Sequence, residues 1–263
     1  WLFCFLHSIS LTLLCPELAM IVLFSDFGAV DPYVGQVKAR LSAEAPGQLV
    51  IDLLHQAPDF NAHAGAHLLA ALAAGFPPGS VFLAVVDPGV GTERAGAVVT
   101  AGGHWYVGPD NGLLSVVAGR DAQAKIWKIE WQPELLSNTF HGRDLFAVVA
   151  AEIARGEFPS HKLAQIEKLQ TEFDIGDLER IIYIDHYGNA FTGIRATAIS
   201  ALSGVRVRGH ELVHGETFGR LARGQGFWFS NSVGLLELAV NRGSAAADFG
   251  LRVGDVVTVL KPG

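Results

Sequence analysis

Three short apolar runs do most to limit what this chain can fold into. IVLF (Ile21 to Phe24), LVIDLL (Leu49 to Leu54) and VFLAVV (Val81 to Val86) are each one strand long and show almost no polar alternation. A strand that is apolar on both sides must be covered on both sides, as in a parallel sheet wrapped by helices. The intervening segments fit that role. YVGQVKARLSAEA, after Pro32, reads as a helix, and so does NAHAGAHLLAALAAGF, which Pro77-Pro78-Gly79 ends. Strand–helix–strand alternation implies an α/β domain built on a parallel sheet with helices on both faces. VVTAGGHWYVGPDNGLL then reads as a hairpin turning at Gly102-Gly103, and Arg143 to Arg155 as a further helix.

Past about Gly156 the texture changes. Pro159 to Gln170 looks like a connector. From Ile181 onward the short strands RIIYID, GVRVRG, GFWFS and DVVTVL alternate with glycine and polar turns. That pattern predicts an antiparallel β-barrel. The expected organisation is an α/β domain over 20–158, a connector over 159–178 and a barrel domain over 179–263. A length of 263 residues suits two domains.

Residues 1–19, WLFCFLHSISLTLLCPELA, stand apart. They precede the single methionine, Met20, where the strand pattern begins. No basic residue precedes their apolar run, as a secretion signal requires, and that run is short for a membrane span. The expectation is a non-native or mis-called leader, with Met20 as the first residue. Both cysteines, Cys4 and Cys15, lie in it. The remainder therefore needs no disulfide and suits a cytoplasmic, reducing location. A net charge of −7 without any basic block argues against nucleic acid and against an anionic membrane surface as partners.

Asp26 and Asp87 each follow a strand of the first domain. Ligands of open α/β sheets bind beyond the carboxyl ends of the strands, so parallel strands would bring these two carboxylates to one edge. AVVDPGVGTER (Ala84 to Arg94) is also explicable as turn chemistry alone, with Pro88, Gly89 and Gly91 bending the chain. TFHGRDLF places His141 just before a helix that starts near Arg143. The helix dipole there disfavours imidazolium, and a local packing role is the other option. DHYGNAFTG sets Asp185 and Asn189 around a glycine turn, which fits either a hairpin or a ligand contact. In NSVGLLELAVNRGSAA, the polar Asn231, Ser232, Glu237 and Asn241 interrupt apolar residues with neither period two nor period 3.6. A ligand-binding loop looks like this, and so does an ordinary barrel closure. His63 and His67, at i and i+4, have a metal-capable spacing but no evident third ligand.

Taken in order, SDFG, DPYVGQVKA, VVDPGVGTER, VGPDNGLL, TFHGRDLFA, DHYGN and NSVGLLELAVNRGSAA resemble the S-adenosyl-L-methionine (SAM) hydrolases (adenosine-forming). These are also called SAM hydroxide adenosyltransferases and are related to the SAM-dependent fluorinase and chlorinase. The resemblance runs from Met20 to the C-terminus. It implies water attack on the ribose 5′ carbon of SAM, giving adenosine and methionine with no metal or organic cofactor. It further implies a homotrimer, with the ligand between the first domain of one subunit and the second domain of the next. The family's catalytic set falls on Asp87, Arg94 and His141, and its ribose-binding aspartate on Asp26. Its adenosine contacts fall on Asn189, Ser232, Glu237 and the backbone at Val240. Asp185 matches a position that holds the methionine ammonium in the halogenases. Those halogenases lack the full Asp-Arg-His set, so the resemblance favours water over halide as the nucleophile; it points to the (R)-sulfonium epimer as substrate, and a non-catalytic SAM- or adenosine-binding protein is the other alternative.

Overall fold

The computed structural model describes residues 20–261. The leader and its two cysteines lie outside the described residues. The chain enters directly into β1 (Ile21–Ser25) and continues through α1 (Pro32–Glu44), β2 (Val50–Leu54), α2 (Ala62–Ala73) and β3 (Val81–Val85). Pro32 sits at the start of α1, where its missing N–H costs nothing. Asn61 caps α2, its side chain accepting from the Ala64 N–H at 3.0 Å. The chain then forms the hairpin β4 (Gly96–Ala101) and β5 (His104–Pro109), followed by α3 (Ser115–Gly119), β6 (Lys125–Ile129), α4 (Ala147–Ala154) and β7 (Leu163–Ile166).

These strands make one seven-stranded sheet in the order β2-β1-β3-β5-β4-β6-β7. The four strands β2, β1, β3 and β5 run parallel, and the pairs β5–β4, β4–β6 and β6–β7 are antiparallel. The expectation of a parallel sheet is therefore corrected to a mixed one. A two-residue turn at Gly102-Gly103 can only join antiparallel strands, and that reverses the sheet's direction beyond β5. β7 lies inside the segment read as a connector. It is a four-residue edge strand that takes its register from β6. Helices cover both faces. Val22 and Phe24 of β1 point into a core with α2, while Ile21 and Leu23 point into a second core with α1 and α4.

The rest of the chain supplies β8 (Leu178–Ile184), β9 (Ala190–Arg195), β10 (Gly204–Val207), β11 (His210–Leu212), β12 (Gly226–Ser230), β13 (Leu235–Val240), α5 (Ala245–Asp248) and β14 (Val257–Leu260). They form a four-stranded antiparallel sheet, β12-β13-β9-β8, and a three-stranded one, β11-β10-β14. The expected barrel is thus two sheets, and no closed sheet occurs among the described residues. Single-residue bridges, Arg180 with Val256 and His214 with Trp228, link the two. The NSVGLLELAV stretch, open between a loop and a closure, is a turn followed by a regular strand. All six residues of β13 are buried, and a strand buried on both faces has no period-two signature. Ile182 and Leu235 from this half pack into the same core as α2, so the two halves share buried surface. Among the described residues no helix is long and apolar enough to cross a membrane.

Candidate active site

β1 and β3 are direct parallel neighbours, with Ser25 opposite Val85. Asp26 and Asp87 therefore leave the sheet at the same edge. Between Asp87 and Arg94 the chain makes a compact turn. Gly91 holds a φ of +79°, and a Cβ there would lie 2.4 Å from the carbonyl oxygen of Asn138. Only glycine allows the turn to press against the segment that delivers His141. His141 stands at the N-terminus of a π-helical turn, Gly142–Phe146, that runs into α4. The sequence predicts this helix start to within a residue, but not its wider winding.

The turn and the helix start meet at Arg94. Its Nη2 donates to Asp87 Oδ2 at 2.6 Å and lies 3.2 Å from His141 Nδ1, while Nη1 donates to the Ala95 carbonyl at 2.7 Å. The guanidinium also sits 5.3 Å from the centre of the Phe146 ring. The Arg94 and Asp87 side chains are only 9% and 5% exposed, so the pair has little water to screen it. Burial pushes the Asp87 carboxyl above its ordinary range, and Arg94 is the main group opposing that shift. Asp87 Oδ1 is buried and has no hydrogen-bond partner among the described residues, and the nearby Gly89 N–H helps to oppose the upward shift. Burial, and then Arg94, depress the His141 imidazole. Arginine only donates, so His141 Nδ1 faces it as an acceptor and the ring is neutral, with its proton on Nε2.

Asp26 lies across the same cleft of about 770 Å³, which Asp87 and His141 also line. Its Oδ2 accepts the Phe60 N–H at 3.2 Å. Phe60 holds a left-handed φ of 57°, uncommon outside glycine, with its side chain 77% exposed at the cleft. Burial raises the Asp26 carboxyl as well. The four Asp-Arg-His-Asp positions chosen from sequence are thus brought into one neighbourhood.

Asp185, Asn189, Ser232, Glu237 and Val240 line a second cleft of about 760 Å³ that shares no lining residue with the first. Asp185 Oδ1 accepts the N–H groups of Tyr187 and Asn189 at 2.9 and 2.8 Å, a turn-holding role. Glu237 is 4% exposed in the middle of β13. Burial pushes its carboxyl up to about 7, against the Asn231 amide that donates to it at 3.0 Å. Val240 is buried at the strand end, and Ser232 is exposed in the turn before β13. Within one chain, then, the two groups of residues do not meet.

The sequence reading missed the aromatic lining of the first cleft, Phe27, Tyr33, Phe60 and Phe140. Phe27 and Phe140 directly adjoin chosen residues, and that adjacency was the available signal. It also named Asn231 without seeing its bond to Glu237. His63 and His67 lie with ring centroids 5.4 Å apart, and His63 stacks on Phe173. Among the described residues no group of three His, Cys, Asp or Glu side chains is placed to hold a metal ion.

Two family models match the chain. The SAM hydroxide adenosyltransferase N-terminal domain matches residues 21–164, and the corresponding C-terminal domain matches 179–258. A curated (R)-S-adenosyl-L-methionine hydrolase from Thermus thermophilus is 39% identical, over 90% of this chain and 97% of that protein. A second hydrolase of that name, from Salinispora arenicola, is 35% identical over 89% and 95%. A fluorinase from Nocardia brasiliensis is more distant, 27% identical over 91% and 96%. Among solved structures, an uncharacterized conserved protein from Thermotoga maritima superposes with a TM-score of 0.83 at 31% identity. It covers 92% of this chain and all of that one.

Proposed function

The chain belongs to the SAM hydroxide adenosyltransferase family, and from that premise we propose that it hydrolyses S-adenosyl-L-methionine to adenosine and L-methionine. Water attacks the ribose 5′ carbon. The new C5′–O bond forms as the C5′–S bond breaks, its electron pair goes to sulfur, and one proton is released. Sulfur leaves as a neutral thioether, so departure needs no acid. The barrier lies in orienting and deprotonating a weak nucleophile.

The observation that carries this reading is the buried Asp87–Arg94 pair, with Asp87 Oδ1 left unpartnered beside His141. Arg94 occupies one carboxylate oxygen and leaves the other to accept the proton of water. Because His141 Nδ1 is turned to Arg94, its Nε2–H donates, and it orients the water oxygen rather than removing the proton. Asp87 is then the base. Asp26 binds the ribose hydroxyls. Asn189, Ser232, Glu237 and the backbone at Val240 bind adenosine, and Asp185 binds the methionine ammonium. The (R)-sulfonium preference in the relatives' names is extended here to this chain.

The separation of the two clefts supports a shared site, in which the first cleft of one subunit faces the second cleft of its neighbour in a homotrimer. On the same reading, the two C-terminal sheets are halves of a barrel whose seams are the two single-residue bridges.

EDTA-treated protein given SAM is expected to release adenosine and methionine. Product carrying halide at C5′, or loss of activity on EDTA treatment, contradicts the proposal. Sharing is tested by co-assembling inactive Asp87→Ala and Asn189→Ala subunits. If lesions fall on opposite sides of each site, random mixing leaves about a quarter of sites intact. No recovery on mixing counts against the shared site.

A further inference from the structure

The first cleft has a feature that the hydrolytic residues do not use. Phe27, Tyr33 and Phe140 all line it and pack on one another. The ring centroids are 6.1 Å apart for Phe27–Tyr33, 5.6 Å for Phe27–Phe140 and 5.5 Å for Tyr33–Phe140. Phe140 meets the other two nearly edge to face, at 83° and 84°. The trio is built into the site. Phe140 directly precedes His141, and Phe27 directly follows Asp26. A Cβ on Gly142 would come within 2.9 Å of the Phe27 ring, so a glycine is what lets that ring lie against the helix start. Tyr33 opens α1 and is 47% exposed, more than a tyrosine placed only for packing needs to be.

The fixed charges that line the cleft beside the trio are carboxylates. Four aspartates line the cleft, Asp26, Asp31, Asp59 and Asp87, and among the described residues no lysine or arginine does. Arg94 lies behind Asp87 with its guanidinium committed to Asp87 and the Ala95 carbonyl. Phe140 already receives one cation, the Arg143 guanidinium, 5.0 Å from its centroid. Asp87 is paired with Arg94, but Asp26, Asp31 and Asp59 have no ion-pair partner among the described residues, and aromatic faces beside such carboxylates are the chemistry that recognises an onium ion, a cation with no N–H to donate. The sulfonium of SAM is such a cation.

Resting on the reaction proposed above, we infer that Phe27, Tyr33 and Phe140 form an aromatic wall that holds the sulfonium and its methyl group, and that this wall separates the charged substrate from neutral thioethers of the same size. Adenosine and ribose are assigned to other residues, and Asp87 faces the reacting carbon. Among the aromatic residues of this lining, the trio is the group whose rings pack on one another as a single surface. The ring faces attract the cation while it exists and lose that attraction once C5′–S cleavage makes the sulfur neutral. The same wall therefore favours release of the methionine product.

Calorimetry on the turnover-deficient Asp87→Asn protein tests this with two probes, SAM and its demethylated neutral counterpart S-adenosylhomocysteine. With the wall intact, SAM is expected to bind roughly five- to thirtyfold more tightly. Tyr33→Leu and Phe27→Leu should each narrow that ratio several-fold, mainly by weakening SAM, while Tyr33→Phe keeps it. Equal weakening of both ligands, or an unchanged ratio, overturns the inference. Tyr33 is half exposed, so its substitution remains readable if Phe27→Leu fails to fold. Wild-type turnover of SAM is assayed alongside. Absence of turnover with an intact binding ratio refutes the hydrolytic reading alone, whereas turnover without a ratio refutes the wall alone.

Discussion

The two clefts of this chain are of nearly equal volume, about 770 and 760 Å³, yet they are built on opposite principles. The first gathers side chains from loops at the carboxyl edge of a sheet and locks them with a buried ion pair. Burial raises two of its acids, Asp26 and Asp87, one carboxylate oxygen has no partner among the described residues, and aromatic rings line the space between. The second takes its residues from the β8–β9 and β12–β13 turns and from the sheet strands they join. Its central acid, Glu237, is pushed to about 7 and paired with an amide. Its polar atoms suit hydrogen bonding to a neutral ligand. On the proposed assignment the contrast separates chemistry from recognition, with the first cleft acting on the reacting carbon and the second holding the nucleoside.

The largest expected break in that contrast comes from Asp87→Asn. The change is nearly isosteric, so Arg94 and the turn should keep their places while the base is lost. kcat should fall by about 10²–10⁴, with much less effect on SAM binding measured by calorimetry. Asp26→Ala, in the same cleft, should show the opposite bias. A ribose contact acts in ground and transition states alike, so its loss should appear mainly as a rise in KM of about 10–100-fold. If Asp87→Asn retains wild-type kcat, the aspartate is only a turn residue.

A pH profile sharpens the assignment within the first cleft. Burial raises Asp87 above its usual 3.8 and depresses His141 below its usual 6.5. The active form needs Asp87 ionised and His141 neutral, so kcat/KM should fall on the acid side, with a midpoint above the ordinary aspartate value of 3.8. A kcat/KM that stays level as the pH is lowered to 3.8 would contradict Asp87 as the base.

The smallest effect belongs to the second cleft and is read in stability. The Glu237 carboxyl is raised from 4.5 to about 7 in the folded protein. A raised acid favours the folded state fully below its unfolded value and loses that contribution as pH climbs through the folded one. Stability should therefore decline between about pH 4.5 and 7, by about 1–3 kcal/mol from this group. Glu237→Gln, which does not titrate, should flatten that decline in urea unfolding at the two ends of the range. An unaltered slope would assign it to other groups.

Much of the fold was legible in the sequence because its strands are either short apolar runs or hairpins with glycine turns. β1, β3 and the β4–β5 hairpin are of this kind, and they suffice to bring Asp26 and Asp87 to one edge. What was illegible depends on pairing at a distance. The edge strand β7 carries no apolar run of its own. β13 is buried on both faces and so lacks alternation, and the direction of the outer strands follows from the hairpin rather than from local pattern. In the site, the turn chemistry of DPGVG marks where Asp87 and Arg94 lie, but not that the guanidinium reaches across to His141. The left-handed backbone that aims the Phe60 N–H at Asp26 has no glycine to announce it. Nothing in residue spacing says that the two groups of polar residues open on different clefts.

The central claim is that the first cleft delivers water, through Asp87, to the 5′ carbon of SAM. The most direct measurement is turnover in ¹⁸O-labelled water, with both products read by mass spectrometry. The account predicts one ¹⁸O in adenosine at the 5′ hydroxyl and none in methionine, with the signal suppressed in Asp87→Asn. Unlabelled adenosine, label in methionine, or formation of labelled adenosine by Asp87→Asn at the wild-type rate would contradict it.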